Sequence, residues 1–256
     1  MKLDDFAILA SKKDPAALNI SKELEKLGIK VNYLEQDSIY SENIDKQING
    51  EFYIFVSKHK SEKNLKSLTV HAPGNWHSAD LGGKPGKVCK TSAFFLKHIF
   101  QILNKKAKAS GLDYQVSLEV THHGPYLENP CCFIEIGSSE QEWKDEKAAK
   151  VIAETINDAM FGFDKEKLKE NWKSVILIGG GHYNQTGNKI MLNTDYAIGH
   201  IIPKYQFPLT LNMLNEAINK TIPHPAIILL DWKGLGSYKK EIIQLLEERN
   251  LKYERV

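Results

Sequence analysis

The chain has 256 residues, 42% of them hydrophobic, and a formal net charge of +2, which argues against a disordered chain and allows one large domain or two small ones. No apolar run approaches the roughly 18 residues of a membrane span, and the start, Met1-Lys2-Leu3-Asp4-Asp5, carries acids where a signal peptide needs apolar residues, so a cytoplasmic protein with no membrane partner is expected. Three cysteines, with Cys131 and Cys132 adjacent and Cys89 alone, form neither a disulfide framework nor a CxxC knuckle, which leaves any metal to histidine and carboxylate.

Taken in chain order, the apolar pattern predicts strands alternating with helices. Phe6 to Ala10 reads as a strand, Pro15 to Leu27 as a helix stopped by Gly28, and Ile29 to Leu34, Phe52 to Val56 and Leu68 to His71 as strands. The stretch Ala72 to Cys89, with Pro73, Gly74, Gly82, Gly83, Pro85 and Gly86, is too long for an ordinary connection. Residues 72–90 are therefore a candidate lid set into a single domain over 1–256. A helix is expected from Thr91 to Ala109, ended by Gly111, with Phe94, Phe95, His98, Ile99, Ile102 and Leu103 on its apolar face. Strands at Val116 to Thr121 and Cys132 to Ile136, a helix from Glu142 to Met160, and strands at Val175 to Ile178 and Ile227 to Leu230 follow. The last helices expected are Leu211 to Lys220 and Tyr238 to Arg249. The order implies an α/β fold of three α/β/α layers around a mixed, largely parallel sheet.

Charge is unevenly spread. Between Ser57 and Leu112 lie eleven lysines (Lys58, Lys60, Lys63, Lys66, Lys84, Lys87, Lys90, Lys97, Lys105, Lys106 and Lys108) against two acids, Glu62 and Asp80. A block of this kind is either a solvated face or a field that attracts phosphates. Its interleaving with His59, His71, Trp76 and His77 suits RNA ends, where ring faces accompany charge. Lys58, Lys60, Lys84, Lys87 and Lys90 are the candidate RNA contacts.

Most of the nine histidines fall at predicted strand ends or just after them, where open α/β sheets bind ligands. Strand alternation sets Glu119, Thr121 and His123 opposite Val116, Leu118 and Val120, sets Thr69 and His71 opposite Leu68 and Val70, and places Glu135 with Cys131 and Phe133. If those faces converge, they form a histidine and carboxylate cluster suited to zinc and an activated water. In Glu119-Val120-Thr121-His122-His123-Gly124-Pro125, Gly124-Pro125 ends the strand, so both histidines can turn toward one cleft. Gly179-Gly180-Gly181-His182-Tyr183 lets the backbone approach an anion or oxyanion, with Gly180 and Gly181 as the candidate contacts. It lacks the last glycine of a dinucleotide fingerprint, and no clear helix is expected after it. His98, His200 and His224 read as structural. A serine hydrolase is excluded by the absence of a GxSxG elbow, and a P-loop is absent too.

These motifs, with Ser57-Lys58-His59-Lys60-Ser61, Leu68 to Asn75, Glu135-Ile136-Gly137-Ser138-Ser139-Glu140 with Trp143, and Ala197-Ile198-Gly199-His200, resemble the archaeal-type D-aminoacyl-tRNA deacylases from end to end. The resemblance implies a zinc-associated, monomeric enzyme acting on D-aminoacyl-tRNA, with no DNA partner and a phosphorylase/hydrolase-like fold of the kind that includes bacterial peptidyl-tRNA hydrolase. On this reading some of His71, His123, Glu135 and His182 hold zinc, while Glu119, His122 and His123 carry the chemistry. The alternatives are a zinc-dependent peptidase or peptidyl-tRNA hydrolase on the same fold, and a non-catalytic RNA-binding module whose histidines stack on bases.

Overall fold

A computed structural model describes residues 5–61, 65–164, 168 and 170–256. The start Met1 to Asp4, and Glu62 and Lys63 of the lysine-rich segment, lie outside them. Besides short 3-10 turns, the elements are β1 (Phe6–Ser11), α1 (Pro15–Lys26), β2 (Val31–Leu34), β3 (Phe52–Lys60), β4 (Ser67–His71), β5 (Thr91–Ser92), α2 (Ala93–Ser110), β6 (Gln115–Leu118) and β7 (Cys131–Ser138). There follow α3 (Glu140–Trp143), α4 (Glu146–Gly162), β8 (Lys173–Ile178), α5 (Gln185–Asn193), β9 (Tyr196–Ile202), α6 (Leu211–Lys220), β10 (Thr221–Ile222), β11 (Ile227–Leu230), α7 (Lys239–Glu248) and β12 (Tyr253–Arg255). No helix among the described residues is long and apolar enough to cross a membrane.

Local chemistry sets the helix ends. The Asp14 carboxylate accepts the N–H groups of Ala16 and Ala17 at 2.9 and 3.0 Å, Pro15 opens α1, and Gly28 turns the chain away at φ 74°. The single helix expected from Glu142 to Met160 is two, because Asp145 caps Lys147 and Ala148 and so starts α4 afresh. A helix does follow the glycine-rich turn: Asn184 Oδ1 accepts the Gly187 N–H at 2.7 Å and begins α5.

The class is α/β with a mixed, largely parallel sheet, as the pattern implies, and the strands form two main sheets. One runs β2-β1-β3-β7-β4-β6 and the other β12-β11-β8-β9. Every neighbouring pair in them is parallel except β7 with β4. On β7, Cys132, Ile134 and Ile136 enter the large core with α1, α2 and α4, and that core continues to Val175 and Ile198 of the second sheet. Cys131 and Phe133 turn the other way into a smaller core with Leu34 of β2 and with Ile44, Tyr126 and Leu127 from outside the main strands and helices. Glu135 shares this second face.

The segment after β6 ties the sheets together. Glu119 N–H donates to Val70 O of β4 at 3.1 Å, Val120 N–H to His182 O at 3.1 Å, and Thr121 N–H to Ile201 O of β9 at 3.2 Å. β6 thus ends at Leu118, short of the expected Thr121, because after Glu119 the N–H groups of Val120 and Thr121 go to His182 and to β9 of the other sheet. The long loop is a wall of the resulting cleft. Gly74 N–H reaches His123 O at 2.7 Å, Gly124 N–H reaches Leu81 O at 2.9 Å, and the indole of buried Trp76 donates to Thr121 O at 3.0 Å.

Candidate active site

In the register of the first sheet, Glu135 lies between Ser57 of β3 and Thr69 of β4, with His59 and His71 one step along on either side. The expected alternation is therefore present. The faces that carry His71, Glu119 and Glu135 do converge, and all three side chains are buried. His123 has a left-handed backbone, φ 43°, which reverses the alternation after His122. Both rings consequently lie against His71, with centroids 4.3 Å away for His122 and 4.9 Å for His123.

The hydrogen bonds of these three rings are alike. Nδ1 of His71, His122 and His123 lies 3.3, 2.8 and 2.6 Å from the carbonyl oxygens of Ala72, Val120 and Gly124. Each Nδ1 therefore carries the proton and donates it, leaving Nε2 with its lone pair free, the arrangement that second-shell carbonyls impose on metal-binding imidazoles. The three offer ligand atoms within 4.8 Å of one another.

Glu119 is the centre of a second group. Its Oε1 is 3.0 Å from His59 Nδ1, and its Oε2 is 3.2 Å from His182 Nε2 and 3.4 Å from His122 Nε2. Despite these short distances neither oxygen has a partner in hydrogen-bond geometry, and neither does His71 Nε2. Buried, close and unsatisfied donors fit a cation that replaces those missing bonds. Among the described residues the clusters able to hold a metal are His71–His122–His123, His59–Glu119–His182 and His71–Glu119–Glu135. Of the residues expected to bind metal, His71 and His123 stand in one cluster, His71 and Glu135 in another, and His182 in the third.

The charges are tuned by burial and by each other. Burial opposes the charged forms of His59 and His71, but the adjacent Glu135 carboxylate and the charge of Glu119 outweigh it and raise both. Burial raises the Glu119 and Glu135 carboxyls, and the facing histidines more than reverse this, so both are lowered. Burial and the His71 charge push His122 well below its ordinary value and His123 down to about 4.

His122, His123, His182, Trp76 and Tyr205 border a cavity of about 280 Å³ above the cluster. Residues beyond the expected site complete it. His59 joins both carboxylates, and its Nε2 is 2.8 Å from the Tyr183 hydroxyl. β3 runs four residues past the expected Val56, and alternation continued along it puts His59 on the face of Tyr53, Phe55 and Ser57. Gly180 and Gly181 border a neighbouring depression instead of this cavity, with the Gly180 N–H 3.5 Å from Gly234 O.

The lysine block is divided by the fold. Lys84 Nζ sits 4.1 Å over the Tyr126 ring and Lys58 Nζ 5.7 Å over Trp143. Lys87 pairs with Glu216 at 2.7 Å, and Lys60 is exposed. Lys97 is fully buried, its ammonium donating to Thr194 O and Tyr196 O at 2.5 and 2.8 Å, so this lysine holds the fold.

A curated D-aminoacyl-tRNA deacylase from Methanococcus vannielii is 37% identical over 98% of this chain and 100% of its own length. One from Thermococcus kodakarensis is 34% identical over 94% and 96%. The crystal structure of the conserved protein of unknown function AF0625 superposes with a TM-score of 0.89 at 29% identity, covering 100% of this chain and 96% of that one. The family model for D-aminoacyl-tRNA deacylase matches residues 46–254, and with relatives this similar along nearly the whole length, the chain belongs to the D-aminoacyl-tRNA deacylase family.

Proposed function

We propose that this protein hydrolyses the ester between a D-amino acid and tRNA, with the buried histidine and carboxylate cluster as its catalytic centre. The observation that carries this reading is the convergence of three Nδ1-tethered imidazoles, His71, His122 and His123, beside the unsatisfied oxygens of Glu119. His71, His122 and His123 would hold zinc, which imidazole donors suit, leaving Glu119 and His59 free for the proton. Bound there, it would polarise the ester carbonyl and lower the pKa of a water toward about 7.

The protein's own groups handle the proton. Glu119 accepts it from the attacking water, and His59, set between Glu119 and Tyr183, moves it on to the leaving ribose oxygen. His122 and His123, fixed by their carbonyl bonds, wall the water in. Lys58, Lys60, Lys84, Lys87 and Lys90 hold the RNA, and the protein acts as a monomer in the cytoplasm. The test is dialysis against a chelator followed by assay on D-Tyr-tRNA. Activity should fall about 100-fold or more and return with zinc; full activity in a sample verified metal-free would refute the metal mechanism.

A further inference from the structure

The parallel strands β8, β9 and β11 end side by side, with Ile178 in register with both Leu230 and Ile202. Ligands of parallel sheets bind at this edge, outside the carboxyl ends of the strands. An open depression of about 590 Å³ lies there, bordered by Lys204, Tyr205, Phe207, Lys233 and Tyr238. Tyr205 also borders the histidine cavity, so the two spaces adjoin.

Gly180, Gly181 and Gly234 bring backbone to the lining of the depression, and the packing behind two of them is tight. A side chain at Gly180 would meet Asn184 Nδ2 at 2.5 Å, and one at Gly234 would meet the Asp231 carboxylate and the Gly180 nitrogen at 2.4 Å. The Asp231 carboxylate is itself engaged, accepting the Gly234 N–H at 3.0 Å. The rim offers rings and cations. Phe207 and Tyr238 stand edge to face with centroids 5.3 Å apart. Lys204 and Lys233 are exposed, and among the described residues neither has a carboxylate partner. Gly236, at φ 61°, leaves room for the Lys204 ammonium, which a side chain there would meet at 2.5 Å.

Ring faces with unpaired cations beside a glycine lining match one unstacked base and its phosphate. On the deacylase reading, on which this rests, we infer that the depression binds the terminal unpaired nucleotide of the RNA, on the ribose side of the ester. The D-amino acid then occupies the 280 Å³ cavity. Neither lysine belongs to the lysine-rich segment, so this is a second and separate contact with the RNA.

The test uses AMP as probe, with inorganic phosphate and free D-tyrosine as comparisons, on the full chain and on the variants Lys204→Ala/Lys233→Ala and Phe207→Leu. Calorimetric titration should show AMP binding to the parent, weakened about tenfold or more in either variant, as loss of stacking or of two phosphate contacts requires. The Michaelis constant for D-Tyr-tRNA should rise by about the same factor with kcat within about twofold. Unchanged AMP binding and KM in both variants would overturn the inference, as would a change confined to preference between D-Tyr-tRNA and D-Ala-tRNA, which would make the depression the amino-acid pocket. If the parent fails to hydrolyse D-Tyr-tRNA yet binds AMP through these residues, the deacylase reading falls and the nucleotide site stands. An active parent that does not bind AMP refutes the site alone.

Discussion

The Tyr183 hydroxyl lies 2.8 Å from His59 Nε2, on the side of the ring away from Glu119, whose Oε1 is 3.0 Å from Nδ1. The phenol and Nε2 of this imidazole are hydrogen-bonded, which holds the ring in place. Tyr183 thereby fixes which edge of His59 faces the cluster. Tyr183→Phe should lower kcat about tenfold and leave KM within about twofold, because the lost bond orients a group that acts on the transition state. His59→Ala should cost more, about 100-fold or above. Steady-state kinetics on D-aminoacyl-tRNA decides this, and a Tyr183→Phe variant with parental kcat would remove Tyr183 from the account.

Glu119 faces three imidazoles with two unsatisfied oxygens. Glu119→Gln keeps its size and removes its charge. Bound zinc, measured by mass spectrometry of dialysed protein, should weaken about 10- to 100-fold, and activity should fall at least as far. Parental metal content together with parental activity would show that Glu119 serves only the fold.

Much of this centre was legible from the sequence, for physical reasons that differ by residue. Glu135 and His71 follow from the two-residue period of strands whose other face is plainly apolar, and His122 with His123 follows from the break at Gly124-Pro125. His59 escaped assignment because Ser57-Lys58-His59-Lys60 looks like solvated chain, while the strand in fact continues through it. β9 was hidden by Gly199 and His200. Gly199 is needed there because a side chain would meet Thr221 at 2.4 Å, a long-range constraint with no local sign. α5 opens with Thr186, Gly187 and Asn188, weak helix formers, in its first turn, and the Asn184 cap and burial hold the helix there.

His200 is fully buried, with Nδ1 3.2 Å from Thr121 Oγ1, the Trp76 ring beside it and the Lys220 charge facing it. Burial lowers its pKa from 6.5 to about 4. The unfolded chain therefore binds a proton between pH 6.5 and 4 that the folded chain refuses. Stability should fall as pH drops through that window, by at most about 3 kcal/mol. Denaturant titrations at pH 7 and pH 4.5 should show a smaller drop for His200→Gln than for the parent. An identical drop would place the acid sensitivity elsewhere.

On the proposed function the lysines divide into RNA contacts and supports of the fold. Replacing Lys84, Lys87 and Lys90 together with Ala should weaken tRNA binding and flatten its salt dependence by about two to three counterions, with kcat at saturating tRNA nearly unchanged. Lys97→Met should leave the salt slope alone and destabilise the fold by roughly 2 to 4 kcal/mol, since it strands two carbonyls. A triple variant that binds as tightly as the parent across a salt series would reduce the lysine-rich segment to a solvated face.

The most direct measurement is a single-turnover comparison of D-Tyr-tRNA, L-Tyr-tRNA and N-acetyl-L-Tyr-tRNA with the zinc-loaded protein. The proposed function predicts rapid loss of the D-ester alone, abolished in His123→Ala with tRNA affinity retained. Equal rates on the D- and L-esters, or selective release of the N-acetylated amino acid, would contradict it.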